Sequence, residues 1–140
     1  MEVIIRGRGI ARGVGSGELL VTEQPISFLS GVDPDTGVVI EPDHPLKGQS
    51  VAGKVLAFPH GKGSTVGSYV IYALKRNGNA PAAIVNVEAE PIIAVGAIIA
   101  DIPMIDQIEV PLSALRSGSH ATVDGAEGVV RIFDAGDDAQ

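Results

Sequence analysis

The chain has no cysteine. It therefore has no disulfide, no thiolate nucleophile and no cysteine ligand for an iron–sulfur cluster. Aromatic residues are scarce: two tyrosines, three phenylalanines and no tryptophan in 140 residues, so small aliphatic side chains must fill the core. There is no excess of positive charge. Ten Lys and Arg against 17 Asp and Glu leave a formal net charge of −7, which argues against nucleic acid or an anionic membrane as partner. The longest apolar run, residues 91–100, is far too short to span a bilayer. The N-terminus, Met1-Glu2-Val3-Ile4-Ile5-Arg6, lacks the basic segment and cleavage site of a secretory signal, and cytoplasmic residence is the expectation. The three scattered histidines, His44, His60 and His120, lack metal-binding spacing, and no metal site is expected on this chain.

Eighteen glycines, nine prolines and many Val and Ile residues read as strands and turns with few helices. The length fits one domain with a real core, placed at residues 1–133, followed by a flexible acidic tail at 134–140. Strands are expected at 2–6, 18–22, 38–40, 54–58, 82–87, 103–105, 121–124 and 128–133, the last two as a hairpin across 125–127. Residues 7–9 read as a break and 13–17 as a flexible turn. Residues 26–53 read as a long irregular stretch, too apolar to be a disordered tail. Helices are expected at 65–77, with Val66, Val70, Ala73 and Leu74 on one face, and at 90–100, with Pro91 as first residue and Glu90 facing the helix dipole. Strands 54–58 and 82–87 should lie parallel through a helical crossover. The centre reads βαβαβ between antiparallel flanks, a small mixed α/β domain.

The densest chemistry lies in Phe58-Pro59-His60-Gly61-Lys62-Gly63-Ser64-Thr65. An apolar strand stops at a proline, and a glycine-spaced loop delivers two hydroxyl residues to a helix start. Ser64 is the natural N-cap, and the first-turn amides of such a helix suit an oxyanion, a carboxylate or a phosphate. The order is not that of a Walker A loop, and Val66 occupies the third glycine position of a dinucleotide fingerprint. An ordinary helix cap is the plain alternative. Against it, Gly61 and Gly63 strip side chains from both sides of Lys62, which allows close ligand approach and adds a mobile charge. If the loop is more than a cap, Lys62, Gly63 and Thr65 are the expected substrate contacts and Ser64 the expected catalytic residue. A helix N-terminus stabilises an anion by only about 0.3–2 kcal/mol, far too little to deprotonate an alcohol unaided. His60 completes no triad, so the rest of such a site must come from another chain.

Other groupings are weaker. Asp33-Pro34-Asp35 and Asp43-His44-Pro45 offer carboxylates for a divalent cation, but turn formation explains both. Arg6, Arg8 and Arg12 lie among glycines and fit an acidic group on a partner, a substrate phosphate or simple solvation. Glu88 and Glu90 flank a helix start as dipole partners.

Taken in order, Gly31-Val32-Asp33-Pro34-Asp35-Thr36-Gly37, His44-Pro45-Leu46-Lys47-Gly48-Gln49-Ser50, Gly61-Lys62-Gly63-Ser64, Ala89-Glu90-Pro91-Ile92-Ile93 and Gly96-Ala97 resemble the swivel-domain proteins of the aconitase X group across nearly the whole chain. The resemblance implies a swivelling β/β/α fold like the mobile last domain of aconitase. It implies no cofactor on this chain and a 4Fe-4S cluster on the cysteines of a separate large catalytic subunit, in a heterodimer or higher assembly. For the separate-chain form it implies a hydro-lyase reaction, dehydration of (R)-5-phosphomevalonate to trans-anhydromevalonate 5-phosphate in an archaeal mevalonate pathway to isoprenoids. In such hydro-lyases the cluster acts as Lewis acid on the leaving hydroxyl, and a swivel-domain serine removes the proton next to the carboxylate; the family serine falls on Ser64. The face carrying Phe28, residues 31–37 and the Ser64 loop is expected to meet the large subunit. Two other readings stay open: a non-catalytic swivel or ligand-binding module, and the small subunit of an aconitase-type isomerase such as isopropylmalate isomerase. In the latter an arginine follows the serine loop, whereas Thr65-Val66 stand here.

Overall fold

The computed structural model describes residues 2–63 and 65–133. Eight strands and two helices follow in the order β1 (Glu2–Arg6), β2 (Arg8–Ala11), β3 (Val14–Val21), β4 (Val55–Phe58), α1 (Gly67–Arg76), β5 (Ala83–Asn86), α2 (Pro91–Ile99), β6 (Met104–Asp106), β7 (His120–Asp124) and β8 (Val129–Phe133). The expected tail at 134–140 lies outside the described residues.

The strands pair in the order β1-β8-β7-β3-β4-β5-β6-β2. β3 through β6 are parallel, the expected βαβαβ centre, and the other pairs are antiparallel. β3 belongs to both halves: Val14–Glu18 pair with β7, and Leu19–Val21 pair with β4. Only Gly7 separates β1 from β2, although they stand at opposite ends of the order, so the chain crosses directly from one half to the other. The Gly7 N–H donates to the Gly128 carbonyl at 2.7 Å across that junction.

Alternation along the central strands separates two cores. Val55, Ala57, Ala83 and Val85 pack with Ala121, Val123 and Val130 between the two halves of the sheet. Leu56, Phe58 and Ile84 face the other way, under α1, α2 and the long segment before β4. β4 and β5 are buried at every position, which explains their apolar sequences, broken only by Asn86 at the end of β5. The result is three layers, β/β/α. No described helix is long and apolar enough to cross a membrane.

Four local expectations need correction. The break expected at residues 7–9 is confined to Gly7, because Arg8–Ala11 form an edge strand on β6. Residues 13–17 are not a flexible turn, since β3 runs from Val14, and a side chain at Gly15 or Gly17 would collide with the carbonyl of Ala82 or Gly53. Glycine serves close approach there, not flexibility. Residues 38–40 form only single bridges, Val39 to Val32 and Val38 to Ser50. Finally, α1 starts at Gly67 and buries Gly67, Ile71 and Leu74, leaving Val66 exposed. Gly96 of α2 sets that face: a side chain there would stand 2.8 Å from Ile71 Cδ1, so the helices approach through small residues.

Candidate active site

β4 ends where Pro59 turns the chain, and the Pro59 carbonyl accepts the N–H groups of Val87 and Glu88 at 3.0 and 3.2 Å. The following loop gains one parallel bridge, Ile26 to Gly61. Lys62 N–H donates to the Ile26 carbonyl at 3.1 Å, and Ile26 N–H to that of His60 at 3.4 Å. His60 turns its Nδ1 to the Gly61 carbonyl, 2.7 Å away within the same loop.

The glycines are tightly used. A methyl at Gly61 would stand 2.7 Å from Ile93 Cδ1 and 2.8 Å from Glu90 Oε1, so the loop presses on the start of α2. Gly63 has φ +92°, a left-handed conformation that favours glycine, and a methyl there would approach Ser27 Oγ to 2.8 Å. Both glycines let the protein close on the loop, on the sides these contacts occupy.

Lys62 is not a free charge. Its Nζ lies 2.8 Å from Glu41 Oε2, with the lysine side chain 48% exposed and the glutamate 15%. Glu41 Oε1 accepts the Ser27 N–H at 3.1 Å. Burial pushes the Glu41 carboxyl up, but the bonds from Lys62 and Ser27 and the charge of Lys62 outweigh it and hold it below its ordinary value. Glu41 reads as a turn residue in the sequence, and its partners stand 14 and 21 positions away, so no local pattern marks it.

Ser64 lies outside the described residues. On its far side Thr65 is exposed, and its carbonyl accepts the Ser68 hydroxyl at 3.1 Å and the Ser68 N–H at 3.4 Å. The expected cap position moves: the N-cap of α1 is Val66, in helical conformation and without a side-chain cap bond. At α2 the sequence is followed closely. Glu90 is the N-cap, accepting from Ile93 N at 2.8 Å and Ile92 N at 3.2 Å, and Pro91 is the first helical residue.

Beneath the loop, Asn86 ends β5 fully buried. Its Nδ2 donates to the Phe58 carbonyl at 3.0 Å, while Oδ1 has no hydrogen-bond partner among the described residues. Arg8 meets an acid of its own chain. Its Nε and Nη2 clasp Asp106 at 2.9 and 2.8 Å, and the hydrogen bond and charge of Asp106 raise the guanidinium pKa. Asp33 Oδ1 accepts the Asp35 N–H at 2.9 Å, a turn, and His44 is buried, taking the Leu46 N–H on Nδ1 at 3.0 Å and donating from Nε2 to the Pro25 carbonyl at 3.1 Å.

The expected partner-facing surface divides. Phe28 is buried, its ring 6.1 Å from that of Phe58. The Pro34 carbonyl accepts Asn77 Nδ2 at 2.8 Å, which docks that turn on the C-terminal end of α1, roughly 15 Å along the helix axis from its start. Ser27 meets the loop at Gly63, whereas the Pro34 and Asp35 carbonyls bond to Asn77 and Asn79.

A β/β/α stack, with a glycine-bordered loop between the central parallel strand and the first helix, defines a small α/β swivel-type domain. The family model of the aconitase X swivel domain matches residues 4–132, and the chain belongs to that family. The phosphomevalonate dehydratase small subunit of Thermococcus onnurineus is 59% identical over 91% of this chain and 97% of its own. That of Methanosarcina acetivorans is 56% identical over 95% of this chain and 93% of its own. The crystal structure of Thermococcus kodakaraensis aconitase X in its holo form superposes with a TM-score of 0.90 at 52% identity, over 94% of this chain and 99% of that one.

Proposed function

We propose that the chain is the small subunit of a phosphomevalonate dehydratase, a single swivel domain over residues 1–133 acting in the cytoplasm. The observation that carries this is the end-to-end match to relatives of that name at 56 and 59% identity, in both directions nearly complete. The reaction removes a proton from the carbon beside the carboxylate of (R)-5-phosphomevalonate and hydroxide from the next carbon, giving trans-anhydromevalonate 5-phosphate and water.

The residues of this chain do not fit an iron–sulfur cluster: the sequence has no cysteine, and no group of three metal-ligating side chains occurs among the described residues. The cluster expected for such hydro-lyases is therefore assigned to a separate large subunit. Within this chain, Ser64 is the proposed proton acceptor. Lys62 supplies a positive charge at the loop surface, and the backbones of Gly63 and Thr65 border the substrate. The loop between two elements of one small domain suits a site completed by a second chain.

The test is anaerobic co-purification with a candidate large subunit, then a dehydration assay on phosphomevalonate. Product formation by the complex, with none from either chain alone, is the expected result. Turnover by this chain alone would refute the shared site.

A further inference from the structure

We propose that Glu41 is a positioning residue that sets the Lys62 ammonium group to take an oxyanion of the substrate. This rests on the dehydratase reading above and deepens it. The two oxygens of Glu41 have separate partners: Oε2 meets Lys62 Nζ at 2.8 Å and Oε1 takes the Ser27 N–H at 3.1 Å. The acid is itself anchored, because Glu41 N–H and Ile40 N–H both donate to the Gly31 carbonyl, at 3.2 and 2.9 Å. The lysine is anchored at its root by the 3.1 Å bond from its N–H to the Ile26 carbonyl. Head and root of one long side chain are thus both tied to the segment after β3.

An ammonium group has three N–H donors. Glu41 uses one, and a side chain 48% exposed can turn the others outward. A free lysine loses considerable rotamer freedom when it closes on an anion. A lysine already held loses less, so the substrate binds more tightly for the same contact. Glu41 is the less exposed partner, at 15%, which suits it to hold the pair from the protein side.

The test uses the assembled complex with four forms of this chain: wild type, Glu41→Gln, Lys62→Met and the double variant. Glu41→Gln should raise KM for phosphomevalonate about tenfold with kcat nearly unchanged, the scale of one charge-assisted contact in binding. In the Lys62→Met background the same change should do nothing further, because its effect runs through the lysine. An equal loss in both backgrounds would show that Glu41 only braces the Ser27 turn and would overturn the proposal, as would no loss in either. Glu41→Asp, which keeps the charge and shortens the reach, guards against a Glu41→Gln chain that fails to assemble; it should move KM in the same direction by less, and again only when Lys62 is present. Inhibition by mevalonate separates the two oxyanions. A Ki that rises in Lys62→Met assigns the carboxylate, an unchanged Ki assigns the phosphate, and either agrees with the proposal. A wild-type complex that never turns over phosphomevalonate sinks the dehydratase reading first and takes this proposal with it, an outcome visible before any variant is compared.

Discussion

Asp106 Oδ2 lies 2.8 Å from Arg8 Nη2 and accepts the Ala89 N–H at the same distance, so one fully buried carboxylate joins β6, the edge strand β2 and the approach to α2. Because Glu90 follows Ala89 directly and presses against Gly61, this knot braces the platform on which the candidate loop rests.

Asp106→Asn removes the charge and leaves the fork of Arg8 half matched. It should destabilise the chain by about 1–3 kcal/mol, read from urea unfolding. Arg8→Lys should also destabilise, because an ammonium cannot reproduce the two parallel bonds. Equal stability of Arg8→Lys and wild type would show that the bidentate geometry contributes nothing.

Gly61→Ala and Gly67→Ala form a matched pair. A methyl at Gly61 would stand 2.8 Å from Glu90 Oε1, whereas one at Gly67 would stand 3.5 Å from Ile92 Cγ2, an ordinary contact. The first should cost about 1–3 kcal/mol through overpacking and displace the loop, lowering turnover of the complex. The second should be neutral or slightly stabilising. Thermal melts of the two variants check the contrast, and similar melting temperatures would contradict it.

The Glu41 carboxyl has its folded pKa held below its ordinary value of 4.5. A depressed acid stabilises the fold above its unfolded pKa, and this contribution is lost as pH falls through the folded one. The difference in melting temperature between wild type and Glu41→Gln should therefore be full at neutral pH and shrink as pH drops below about 4.5. A gap independent of pH would mean that the carboxylate charge does not matter.

Ser64→Ala should lower kcat of the assembled complex by ~10²–10⁴-fold, the usual worth of a positioned general base, with assembly intact. Ser68→Ala, whose hydroxyl only returns to the Thr65 carbonyl, should do much less. Near-normal kcat in a well-assembled Ser64→Ala complex would leave the non-catalytic swivel as the better reading.

Much of this was legible along the chain because it rests on local physics. The absence of cysteine excluded cysteine ligation of a cluster by this chain. The largely apolar stretches at 54–58 and 82–87 marked the strands β4 and β5, and Glu90-Pro91 marked a helix start through a carboxylate facing the dipole and a proline that needs no donor. The glycines around Lys62 marked a loop with special backbone demands. Tertiary structure decided what the loop touches. Arg8 and Asp106 are 98 residues apart, and nothing near either one announces the other. Lys62 reads as a free charge until the segment before β4 folds back and brings Glu41 to it. Glycines at 15 and 17 read as flexible until strand packing shows that only their missing side chains let the backbones meet. Likewise α1 buries 67, 71 and 74 because Gly96 lets α2 approach on that side, a choice between two neighbouring faces that helical periodicity alone leaves nearly equal. Local pattern determines which elements form; long-range packing and pairing determine which face, which partner and which charge each one meets.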